Sequence, residues 1–157
     1  MFVNWKIILL AAFVCTGCGT DITTSNKESP GIGSCTSPIN SLSGSLTSGV
    51  KKWGTQFNWD VGPSMGGIDL VENQMTLIFK TYNGKTPDTL TEVVVTAWMP
   101  EHKHGTGNQV PRTEFGQRGE AKIKNIWFSM TGLWELIIKA TVNDAADELR
   151  FCVNVGE

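Results

Sequence analysis

A chain of 157 residues with 40% hydrophobic content is long enough for one domain with a modest core and too short for a multidomain machine. Its 13 Lys+Arg against 15 Asp+Glu give a formal charge of −2, and no basic stretch stands out. That balance argues against nucleic acid as a partner.

Taken in chain order, Met1 to Lys6 supplies one positive charge, and residues 7–14 are a continuous apolar run of signal-peptide length, too short to span a bilayer. Residues 1–17 therefore read as an export signal. Cys15-Thr16-Gly17-Cys18 then places a small residue directly before a cysteine, which resembles the lipobox of bacterial lipoproteins, with Cys15 where that pattern usually starts on Leu. The resemblance implies cleavage before Cys18, a lipid on Cys18 and attachment to a membrane of the cell envelope. Gly19 after Cys18, rather than Asp, resembles the pattern of lipoproteins sorted to the periplasmic face of the outer membrane. Removing residues 1–17 takes away Lys6 and no acid, which leaves 12 basic residues against 15 acidic ones.

Residues 18–50 are dominated by Ser, Thr, Gly, Asn and Pro, a composition that buries too little apolar surface to offset ordering entropy, and they read as a tether. A flexible chain of about 30 residues spans roughly 30 Å root-mean-square, enough to hold a domain clear of lipid headgroups. With Cys15 cleaved off and Cys18 acylated, Cys35 and Cys152 remain as an isolated pair in an oxidising compartment. Such a pair reads as a disulfide rather than a metal site. Closing that loop would stabilise the fold by an amount on the order of 4 kcal/mol through denatured-state entropy, and would strap residues 35–50 onto the domain.

From Trp53 onward, residues 51–157 show short alternating segments divided by turn residues, with no helical period long enough for a helix. Phe57, Trp59 and Val61 alternate before Gly62-Pro63. Met75, Leu77 and Phe79 alternate before Asn83-Gly84, a strong turn signal. Val93, Val95 and Ala97 mark a strand over residues 91–98. A short strand over 110–115 turns at Gly116-Gln117-Arg118-Gly119, and Ala121 and Ile123 followed by Ile126 and Phe128 change parity near Asn125, which predicts a bulge. Trp134, Leu136, Ile138, Ala140 and Val142 share one face of the clearest half-buried strand. Leu149, Phe151, Val153 and Val155 form the last, with Arg150, Cys152 and Asn154 facing outward. About seven short strands at this spacing predict an all-β domain, an immunoglobulin-like antiparallel β-sandwich.

Both histidines of the protein lie in Met99-Pro100-Glu101-His102-Lys103-His104-Gly105, on the loop leaving a strand. In an extended segment residues two apart project to the same side, so His102 and His104 can offer two imidazoles to one point. The thioether of Met99 is a soft donor, and imidazole with thioether favours copper over hard cations. Alternate loops of a sandwich of antiparallel strands share a pole, and that parity puts Met65 and Met130 beside Met99, His102 and His104, provided the 110–115 strand exists. Against this stands the ordinary role of methionines near strand ends as core plugs, which is the reading for Met75 and an open alternative for Met65 and Met130. A solvated polar loop is the corresponding alternative for the histidine pair.

The blocks Trp98-Met99-Pro100-Glu101-His102-Lys103-His104-Gly105 and Phe128-Ser129-Met130-Thr131-Gly132-Leu133-Trp134-Glu135-Leu136 together resemble the YtkA-like/FixH-like domain family, over about residues 55–156. The resemblance implies a small extracytoplasmic β-sandwich, often lipid-anchored or membrane-anchored. Its ligand types are similar to those of periplasmic copper chaperones, which implies a copper ion, Cu(I) or Cu(II), held by Met99, His104 and Met130. His102 stands where many relatives carry a second Met, making the set harder, so that Cu(II) or Zn(II) gains ground on Cu(I). Lys103, where Gly is frequent, sets a positive charge beside any cation.

Three functions compete at this stage. The leading expectation is a copper-binding or copper-delivery module whose partner is another envelope protein. The second is a structural or protein-interaction domain in an envelope assembly, using Trp98, Trp127 and Trp134. The third, an enzyme, is not expected, because the sequence has no Ser-His-Asp order, nucleophile elbow, phosphate loop or zinc-hydrolase spacing. A metal hydrolase here would need Glu101 or Glu114 as a third ligand.

Overall fold

The six long strands from Trp53 onward carry alternating buried side chains, and the buried sets of two sheets close on one another to make the core. The computed structural model describes residues 35, 38–66 and 72–156. Nine strands are found among them: β1 (Ser43–Thr47), β2 (Trp53–Val61), β3 (Asn73–Thr81), β4 (Leu90–Met99), β5 (His104–Gly105), β6 (Arg112–Phe115), β7 (Glu120–Ile126), β8 (Gly132–Val142) and β9 (Ala145–Val155). One sheet runs in the order β1-β2-β3-β7-β6 and the other in the order β5-β4-β8-β9, with all neighbours antiparallel. The all-β sandwich read from the alternation is the fold observed. Its strand number is higher than about seven, because backbone pairing creates β1 and the two-residue β5 where side chains carry no period.

Trp53, Phe57 and Trp59 on β2, Met75, Leu77 and Phe79 on β3, and Ala121, Ile123 and Ile126 on β7 form one wall of the core. Val93, Val95, Ala97 and Met99 on β4, with the inward sets of β8 and β9, form the other. Val61 departs from the alternation that joins it to Phe57 and Trp59. The β2–β3 register slips between Trp59 and Val61, and the extra residue turns Val61 outward to 37% exposure. A second slip lies on β7 opposite Asn73–Met75, where Asn125 has φ 57° and donates its side-chain amide to the Val110 carbonyl at 2.9 Å. That bulge is what lets Ile123 and Ile126, three apart, both face inward.

Within the stretch 18–50 read as a tether, residues 38–50 lie against the domain, as pairing of Cys35 with Cys152 implied. Cys35 and Cys152 form a disulfide with Cα atoms 5.7 Å apart, Ile39 donates its N–H to the Cys152 carbonyl at 2.7 Å, and Ser43–Thr47 pairs with β2. Gly49 then donates to the Glu148 carbonyl. Residues with little apolar surface are thus held by backbone bonds and one covalent bond, which composition does not register. Cys18, expected to carry the lipid, and residues 1–17, expected to form the export signal, lie outside the described residues.

The strands place two sets of turns at opposite ends. One end carries the β4–β5 turn, the segment 62–66, the turn before β8 and the end of β9; the other carries the turns around Asn83-Gly84, Gly116–Gly119 and Asn143-Asp144.

Candidate metal site at the loop-bearing end

The turn that holds both histidines is a tight hairpin. Met99 pairs with His104 and Trp98 with Gly105, leaving Pro100-Glu101-His102-Lys103 to reverse the chain, with Lys103 at φ 55°. Gly105 has no side chain to accommodate: a Cβ there would sit 3.2 Å from the Ala97 carbonyl oxygen, tighter than ordinary contact.

His104 is half-buried, and its Nδ1 lies 2.9 Å from the Gly105 carbonyl oxygen. A carbonyl can only accept, so Nδ1 carries the proton, and in the neutral ring Nε2 keeps its lone pair. The edge of Trp134 lies beside the imidazole, with ring centres 5.8 Å apart and planes at 77°. His102 is exposed, and its ring centre is 5.8 Å from that of His104. A metal–nitrogen bond of about 2 Å plus about 1 Å from nitrogen to ring centre sets two rings sharing one ion roughly 5–6 Å apart. The spacing of the two rings therefore matches that of a shared ion.

The methionines are placed differently from the histidines. Met99 continues the inward set of β4, is 2% exposed, and lies against Gly132, where an added Cβ would come within 2.9 Å of its Cε. Its thioether belongs to the core and does not face solvent. Met130 and Met65 are half-buried and pack on the core, as plugs do, while Met75 is fully buried. The Met130 carbonyl accepts the Trp134 Nε1 proton at 3.1 Å, which ties the turn before β8 to the floor of the histidine site.

Met65 reaches the same end through a buried clamp. Asn73, 0% exposed, accepts from Ser64 N–H at 2.8 Å and donates to the Ser64 and Ile126 carbonyls at 2.9 and 3.0 Å. Gly66 N–H donates to the Phe128 carbonyl and Met65 N–H to that of Gly156. The condition set on the parity argument is met, since β6 exists, and the segments bearing Met65, Met99 and Met130 share one end of the sandwich with the two histidines. Asn73 and Trp134 as supports of this end were not singled out from sequence: an Asn opening a strand and a Trp in an alternating run look the same whether or not they brace a site.

Among the described residues no three His, Cys, Asp or Glu converge on a point. Glu114, considered as a third ligand for a hydrolase, is instead bonded to Lys124 at 2.8 Å. Any ion at this end would take two imidazoles, with methionine sulfur, backbone or a second molecule completing its shell. A shallow depression of 340 Å³ on the outer face of β1–β3, lined by Ser43, Gln56, Asn58, Thr76 and Ile78, has no titratable group in its lining. Compared with known proteins, the chain matches no family, no curated protein and no solved structure.

Proposed function

We propose that this chain is an exported lipoprotein of the YtkA-like/FixH-like kind, anchored through Cys18 in the cell envelope, whose sandwich binds copper at the β4–β5 hairpin for delivery to another envelope protein. The observation that carries the reading is the pair of imidazole rings 5.8 Å apart, one of them, His104, oriented by the Gly105 carbonyl and paired across the hairpin with Met99. Two imidazoles with few further donors make a site that gives its ion up readily, which suits delivery better than storage. With Met99 inside the core, Cu(II) on the histidines is the form supported best.

The test is titration of the chain lacking residues 1–17 with Cu(II), followed by tryptophan emission and by electron paramagnetic resonance for nitrogen coupling. Stoichiometric quenching is expected, and His102→Ala with His104→Ala should weaken binding at least tenfold. Equal binding by the double variant would remove the copper site.

A metal-free interaction domain is supported by a different observation. Among the described residues β6 pairs only with β7, β4 meets β5 at two residues only, and Val94, Phe115 and the nearby Val110 are 49%, 55% and 68% exposed. Self-association lost on Phe115→Ser, with no response to Cu(II), would favour that reading.

A further inference from the structure

The position of the disulfide relative to the hairpin bears on what the histidine-bearing end can meet. Gly105 pairs with Trp98, Trp98 with Glu135 and Glu135 with Cys152, so Cys152 lies in the same cross-strand row as the hairpin. Three strand spacings separate Cys152 from Gly105, about 14 Å. Cys35 is bonded to Cys152, so the chain leading back to Cys18 joins the domain level with the candidate site. The opposite end of β8, at Val142, lies seven residues from Glu135, about 23 Å from that row.

The point of attachment does not hang on the disulfide alone. Ile39 is bonded to Cys152, and the Leu42 carbonyl accepts from Trp59 N–H near the same end of β2. Residues 19–34 separate Cys18 from Cys35, a span of at most about 60 Å even when fully extended. Attached about a third of the way along from the histidine-bearing end and excluded from the bilayer, the sandwich would extend its far end into solvent.

We infer that the end carrying His102 and His104 faces the lipid surface, and that the protein exchanging an ion with it is embedded in that same membrane, with its own imidazole or sulfur donors near headgroup level. This rests on the proposed lipid anchor and, for the exchange, on the proposed copper site. A soluble carrier would be served better by a site at the Asn83-Gly84 end.

The full acylated chain on phosphatidylethanolamine/phosphatidylglycerol vesicles tests the placement. A donor dye is attached through Glu101→Cys or through Asn83→Cys, and energy transfer to a headgroup-linked acceptor is measured. Transfer at least twofold more efficient from position 101 is expected; equal transfer, or more from position 83, would overturn the placement. Flotation of the vesicles separates this from failure of the anchor, since unanchored protein would stay at the bottom of the gradient and overturn the inference with it. The exchange is tested by loading the unlabelled chain with Cu(II) and following its transfer to nitrilotriacetate-headgroup lipid. A Cys18→Ser chain carrying maleimide lipid at Asn83→Cys provides the comparison. Transfer at least threefold faster from the Cys18-anchored chain is expected; equal rates would overturn the same-membrane partner. Absence of Cu(II) binding before any transfer would overturn the copper reading and leave the placement standing on the dye measurement.

Discussion

Met99 and His104 are direct partners across the β4–β5 pair, yet one is sealed in the core while the other is half exposed beside Trp134. Residues directly opposite on antiparallel strands share a face and stand about 5 Å apart at Cβ. The buried thioether and the half-exposed imidazole therefore start from neighbouring positions, where packing and coordination make different demands on the sulfur.

Substitution separates those demands. Met99→Ala should cost about 2–5 kcal/mol of stability by leaving a cavity against Gly132. Met99→Leu keeps the volume and should cost less than about 1.5 kcal/mol. If sulfur also ligates, Met99→Leu should weaken Cu(I) binding measured by competition with a chromogenic chelator while urea unfolding stays near the original midpoint. Unchanged Cu(I) affinity would confine Met99 to packing.

Trp134→Phe keeps most of the core surface and removes the proton donated to the Met130 carbonyl. A loss of about 1 kcal/mol in urea unfolding is expected for that bond. Faster amide exchange should be confined to residues 129–133, which hydrogen-exchange mass spectrometry can read. Uniform change across the sandwich would show that the bond does not hold this turn in particular.

Asn73→Ala should cost about 2–3 kcal/mol, because it strands the Ser64 N–H and two carbonyls that the buried amide now satisfies. Gly62→Ala should destabilise the same segment, since Gly62 has φ +96° and a Cβ there would run into the Asn73 side chain. Both effects are checked by thermal unfolding. A change of less than half a kcal/mol in either would mean that the 62–66 segment is held by other contacts.

Replacing both Cys35 and Cys152 by Ser removes a link that closes a sequence separation of 117 residues. The chain-entropy treatment gives a loss of about 4–5 kcal/mol, measured as a shift in the urea midpoint against the oxidised protein. Protease cleavage in residues 35–42 should increase as well, because Ile39 N–H to Cys152 is the one backbone bond to β9 in that stretch among the described residues.

Most of the core could be read directly, because alternation along β3, β8 and β9 is the physical imprint of one buried face, and the structure buries the same side chains. The bulge near Asn125 was legible for the same reason, as a change of parity between Ile123 and Ile126. Val61 was misread because a bulge on β2 turns it outward while nothing in its neighbours' polarity marks the extra residue. The strand Ser43–Thr47 was hidden because its bonds are made by backbone, and backbone is the same in every sequence.

For the candidate site, the sequence by itself determined the donors: both histidines within three residues of one another, just after Met99 at the end of an alternating strand. Only the tertiary structure decided their access and company, with Met99 inside, His104 turned onto Trp134 and the Met65 segment held at the same end of the sandwich through Asn73. Chemical type is a property of each residue, whereas exposure and proximity depend on which sheet edges meet, and those contacts join residues far apart along the chain.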